Sequence, residues 1–118
     1  MEDHSFEDQV TLQLDSAELS VSPGSSVTVP LAVHNHGPGD DFFEITVRGI
    51  PSTWVSVPAP VVRLAAGERR EVSLTIQPPL PPQGRAGRHD VVFRAASQAT
   101  PQVAAEATCT LTVAALEV

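Results

Sequence analysis

His34 and His36 stand two residues apart, and Asp40 and Asp41 follow a few residues later. On an extended backbone the two imidazoles share a face, so the group has the donor types of a histidine–carboxylate metal centre. The intervening Asn35-His36-Gly37-Pro38-Gly39-Asp40 is a cluster of chain breakers, and no third ligand stands at a regular spacing. A solvated turn fits better than zinc. Gly39-Asp40-Asp41 likewise lacks the repeated oxygen spacing of a calcium loop. His89-Asp90 offers the residue types of a hydrolase dyad, yet adjacent residues of a strand point to opposite faces and cannot pair. Cys109 is the single cysteine. As a nucleophile it would need a histidine in reach and positive surroundings; among Thr108, Thr110 and Leu111 it reads as a small core side chain. No catalytic, cofactor-binding or metal site is expected, and the chain reads as non-enzymatic.

The rings are few: Trp54, Phe6, Phe42, Phe43 and Phe93, with no tyrosine. A sugar-binding surface presents a platform of exposed rings, which this supply scarcely provides. Trp54 is expected in the core, where a sandwich commonly needs one large ring. If Phe43 faces inward, Phe42 faces water beside Asp41 and Glu44, and an exposed ring next to a turn can mark a contact with a neighbouring module or partner.

Charge narrows the partners. Fourteen acids oppose seven bases, all of them Arg, for a net charge of −7. The one basic doublet, Arg69-Arg70, lies between Glu68 and Glu71, so the clustered positive surface that displaces counterions from phosphates is missing, and nucleic acid is not expected as a partner. One cysteine excludes an internal disulfide. The 118 residues suit one domain with a core of its own. Met1-Glu2-Asp3-His4 has neither a basic nor an apolar targeting region, and no apolar run reaches the roughly 18 residues of a membrane span. Membrane insertion of this segment is not expected, and a monomer is.

The elements that would position these residues are strands. Residues 1–9 are acidic and aperiodic, an expected flexible leader, and residues 10–118 read as a single domain. Short alternating segments follow, each closed by Pro, Gly or Asx, the pattern of a sandwich or barrel. Residues 10–14 and 18–21 read as one strand broken across two sheets. Ser22-Pro23-Gly24-Ser25 turns into residues 26–36, where Val27, Val29, Leu31 and Val33 share one face. Pro30 in that run implies an edge or a bulge. Residues 42–48 place Phe43, Ile45 and Val47 inward, 53–57 form a short strand carrying Trp54, and 61–64 another. Residues 71–77 bury Val72, Leu74 and Ile76. Pro78, Pro79, Pro81 and Pro82 make a stiff polyproline-type connection suited to changing sheets. Residues 88–96 turn Val91, Phe93 and Ala95 inward, and 103–114 do the same with Cys109, Leu111 and Val113. The expectation is all-β: two antiparallel sheets of seven to nine strands in total, packed face to face about 10 Å apart.

Four stretches carry a family resemblance: VSPGSSVTVPLAVHNHG, FFEITVRGIPSTWVSV, LAAGERREVSLTIQPP and AGRHDVVFRAAS. In this order, over residues 19–113, they resemble bacterial immunoglobulin-like sandwich repeats. These include CARDB-type modules and the repeats that accompany carbohydrate-binding modules and glycosidases. The resemblance implies an immunoglobulin-like fold and an accessory role, and it brings no catalytic residue with it. It implies one repeat of a longer multi-domain protein, acting as a spacer or docking unit on neighbouring domains or on another protein. A carbohydrate-associated accessory module and an adhesin-like binder using an open sheet edge are the alternatives. An extracytoplasmic or cell-surface setting is placed ahead of the cytoplasm.

Overall fold

The computed structural model describes residues 9–58, 60–79, 87–100 and 102–114. Nine strands run through them: β1 (Val10–Leu14), β2 (Glu18–Val21), β3 (Val27–Asn35), β4 (Asp41–Arg48), β5 (Val55–Ser56), β6 (Val61–Leu64), β7 (Arg69–Ile76), β8 (Gly87–Ser97) and β9 (Ala104–Val113). One sheet has the order β1-β3-β7-β5 and the other β2-β9-β8-β4-β6. The leader falls largely outside the described residues, but the Gln9 carbonyl accepts from the His36 amide at 2.8 Å, so pairing begins there.

Each strand follows its alternation. Leu31 and Val33 of β3, Phe43 and Ile45 of β4, Leu74 and Ile76 of β7, Val91 and Phe93 of β8, and Cys109 and Leu111 of β9 all point between the sheets and are buried. Each large apolar side chain so buried contributes roughly 1.5–3 kcal/mol of transfer free energy. Two sheets with one apolar face apiece therefore have one stable arrangement, face to face.

The first two strands are one run split between sheets: β1 pairs antiparallel with β3, and β2 pairs with β9. Because the chain keeps its heading as it crosses, β2 lies parallel to β9, while the other pairs are antiparallel. Pro30 sits on an interior strand, between β1 and β7. The β1 ladder ends at Leu14↔Leu31, one residue short of Pro30, so the missing amide faces a place where no strand asks for it. The expected edge strand or bulge at Pro30 is thus corrected: β3 is interior and runs against β7 without interruption, and the proline fits because its missing amide lies past the end of the β1 ladder.

The expected strand over 53–57 is corrected. Ser52–Trp54 forms a 3₁₀ turn, and only Val55–Ser56 is strand. Pro51, at φ −59°, pre-sets the turn, and its carbonyl accepts the Trp54 amide at 3.0 Å, closing the i→i+3 bond. Trp54 is 6% exposed and meets His89 edge-on, ring centroids 5.5 Å apart. The chain changes sheets between β7 and β8 as expected; residues 80–86 of the proline-rich connection lie outside the described residues. Gly24 has φ +83°, and the Ser25 amide returns to the Ser22 carbonyl at 3.0 Å, which is what a Pro-Gly type II turn requires.

Candidate functional site

The two histidines and two aspartates around the β3–β4 turn do not converge on one site. The His34 and His36 rings do lie against each other, with centroids 3.9 Å apart and planes tilted by 36°. The His34 Nε2 meets the Gly67 carbonyl at 3.2 Å, and the His36 Nε2 meets the Thr11 hydroxyl at 3.1 Å. The aspartates do not join them. Asp40 pairs with Arg63 at 2.9 Å and accepts from the Ala66 amide. Asp41 accepts from the Phe42 amide and from the buried Ser97 hydroxyl. Among the described residues no group of three or more His, Cys, Asp or Glu is placed to hold a metal ion. His89 is half-buried under Trp54 while Asp90 is exposed, so the pair diverges as strand alternation requires. Cys109 is buried between the sheets, and desolvation pushes its thiol pKa up, away from the reactive thiolate.

Sequence reasoning passed over Asn35. Its side chain is buried and fully engaged: Nδ2 donates to the Gly39, Leu64 and Ala65 carbonyls at 3.0, 3.1 and 3.3 Å, and Oδ1 accepts the Gly37 amide at 2.9 Å. The signal available was the Asn-x-Gly spacing of an Asx turn. The long-range half, which fastens the end of β3 to the β6–β7 turn, had no local signature. In that same turn Glu68 accepts the Ala65 amide at 2.8 Å and pairs with Arg70 at 3.0 Å. The backbone hydrogen bond from Ala65, helped by Arg70, lowers its carboxyl pKa.

This fastened turn positions the one surface that stands out. Phe42 on β4 and Val61 on β6 are the exposed large hydrophobics among the described residues, at 47% and 40%. Phe42 pairs with Arg63 and Glu44 with Val61, so Phe42 and Val61 are diagonal neighbours on the outer face of their sheet. β6 is the last strand of that sheet. Beside it runs β7, which β5 covers only at Thr75 and Ile76. Between β6 and β7 lies a groove of about 340 Å³ whose walls include Pro58, Val61, Val62, Arg70 and Val72. A larger cavity of about 540 Å³ lies along β1 and the start of β9. Its wall carries the Arg94–Glu106 pair, 3.8 Å apart, and no large exposed apolar side chain, so it has less to offer a partner.

No protein-family model and no curated protein matches the chain. Among solved structures it is similar to a FixG-related protein from Vibrio parahaemolyticus, with a TM-score of 0.67 and 13% identity over 90% of this chain and 95% of that one. It is similar also to an ASH/PapD-like domain of human CEP192, with a TM-score of 0.59 and 15% identity over 99% of this chain and 92% of that one. The periplasmic chaperone SfaE matches with a TM-score of 0.55 and 15% identity over 91% of this chain and 59% of that one. At such identities the likeness concerns architecture alone: the fold is an immunoglobulin-like β-sandwich, and PapD-like domains are among the structures that share it.

Proposed function

We propose that this chain is a non-catalytic interaction module that docks a neighbouring domain, of its parent protein or of another protein, through the rim formed by β4, β6 and β7. The observation that carries the reading is the meeting of Phe42 and Val61 at the β6 end of the sheet, where no further strand follows among the described residues. Exposed apolar side chains gathered in one place, rather than scattered singly, mark contact surfaces. The PapD-like architecture is compatible with such a role. The resemblance to CARDB-type repeats suggests the setting: one unit of a multi-domain bacterial protein, spanning residues 10–118, placed outside the cytoplasm. The second reading, a carbohydrate-associated module, loses support because Trp54, Phe43 and Phe93 are committed to the core.

The test titrates isotope-labelled chain, in parallel, with domains encoded beside it in its reading frame and with soluble polysaccharides. Docking predicts amide shifts centred on Phe42, Val61 and Arg63. It also predicts that Phe42→Ser weakens binding about tenfold, as loss of an interface anchor does, with an unchanged melting temperature. Binding indifferent to Phe42→Ser would sink the proposal, and shifts at Phe42 caused only by polysaccharide would replace it with the carbohydrate reading.

A further inference from the structure

We propose that the module is built to carry tension between its two ends, with β2 and β9 as the clamp. A pull along the chain loads their ladder in shear, so that its bonds must give way together. This role goes beyond docking and lies on the β2–β9 side of the sandwich rather than at the rim.

β2 lies parallel to β9, with Glu18 opposite Thr110 and Val21 opposite Val113. β1 keeps the same heading, and Val10, Thr11 and Leu12 share a groove with Ala104, Ala105 and Glu106 at the start of β9. The described chain therefore enters at one end of the sandwich and leaves at the other, the ten residues of β9 setting the two apart by roughly 30 Å. A pull between those ends drags β2 and β9 in opposite directions along their common axis. Were the two strands antiparallel, the ends would leave side by side, and the same pull would open the ladder one bond at a time. The Thr110 amide donates to the Ala17 carbonyl at 2.8 Å and the Ala114 amide to the Val21 carbonyl at 2.9 Å. Ala17 and Val21 thus face β9, and by alternation Leu19 faces it too. Glu18 faces away, and its amide and carbonyl are both engaged by the Ser16 hydroxyl, at 3.2 and 2.8 Å. Ser20 shares that outer side.

Resistance to force is a rate, set by the barrier to unfolding. One hydrogen bond contributes little alone, but bonds loaded side by side share the pull, whereas the leading bond of an unzipping ladder takes it singly. Slippage offers no intermediate resting place. A one-residue slide of β2 would turn the buried Val21 outward and Ser20 inward, and the next register that keeps the apolar face inward is two residues away, with the whole ladder broken in between. Val21, Leu111 and Val113 are buried beneath this ladder, which ties its rupture to exposure of the core. β1, paired with β3 from Val10 to Leu14, is pulled along its own axis as well and adds a second ladder in shear. With one cysteine in the chain, no internal disulfide takes the load in place of these strands.

The experiment stretches single molecules of the full chain in two geometries. Handles at the two ends of the chain load β2 and β9 in shear. Handles on thiols introduced by Ser22→Cys and Ala114→Cys, at exposed positions just past the same end of both strands, unzip the same ladder, and the buried Cys109 does not compete for them. The unfolding force is expected to be several-fold higher end to end than across residues 22 and 114. Leu19→Pro removes a donor that faces β9, while Leu19→Ala removes the packing and keeps the donor. At constant end-to-end force the proline variant is expected to unfold about fivefold faster than the alanine variant, as loss of one hydrogen bond implies. Ser20→Pro removes a donor that faces away from β9 and should unfold as slowly as the unaltered chain. If Leu19→Pro does not fold, the comparison of the two geometries decides alone. Equal forces in the two geometries would overturn the clamp. A high end-to-end force that Leu19→Pro leaves unchanged would overturn it as well and move the load to β1 on β3. Docking at Phe42 would stand in either case.

Discussion

Asn35 does more for the rim than any residue whose chemistry drew attention in the sequence. It is a buried amide with donor and acceptor both satisfied, and it holds the Leu64 and Ala65 carbonyls at the point where β6 turns into β7. Asn35→Ala is expected to destabilise the fold by about 1–3 kcal/mol, the cost of leaving buried polar groups unpaired, as measured by urea denaturation. It should also raise hydrogen exchange at the Gly67 amide, which donates to the Asn35 carbonyl, and at the residue-35 amide, which donates to the Glu68 carbonyl. A variant as stable as the parent would show that water replaces the side chain there. The histidines offer the opposite lesson. Their shared face follows from their spacing, but the engagement of His34 with Gly67 and of His36 with Thr11 depends on a turn and a strand more than twenty residues away.

At the scale of elements, strand ends rather than strand middles decide the architecture. β4 must stop where Gly49 passes β8: Gly49 has φ +101°, and a Cβ there would lie 2.0 Å from the Asp90 carbonyl oxygen. Gly49→Ala is therefore expected to cost at least the 1–3 kcal/mol or so of a disfavoured backbone conformation, with the collision added. Thermal unfolding would register this as a fall of several degrees, and an unchanged melting temperature would mean that the β4–β5 connection yields easily. The prolines act in the same way. Pro51 makes a turn of what alternation suggested was strand, and Pro58 curtails β5, which pairs with β7 only at Thr75 and Ile76 among the described residues.

For the whole molecule, the absence of disulfides leaves packing between the sheets as the main source of stability. Cys109 reports on it directly. Buried against that core, with its thiol pKa raised by desolvation, it is expected to react with a disulfide reagent only when the sandwich opens. Its labelling rate should follow global unfolding across a urea series, and rapid labelling in the folded state would show that β9 frays alone.

The alternation at Val27 to Val33, at Val72 to Ile76 and at Cys109 to Val113 suffices to name the strands, their inward faces and the two-layer fold. It does so because a period of two and one apolar face are local properties. Phe42 was legible as an outward ring for the same reason, being one residue from the buried Phe43. Strand order, the parallel setting of β2 on β9, the turn under Trp54 and the meeting of Phe42 and Val61 beside β7 were not legible. Each depends on which distant segments become neighbours, and that is decided only when two apolar faces close on one another and the prolines determine which edges remain uncovered.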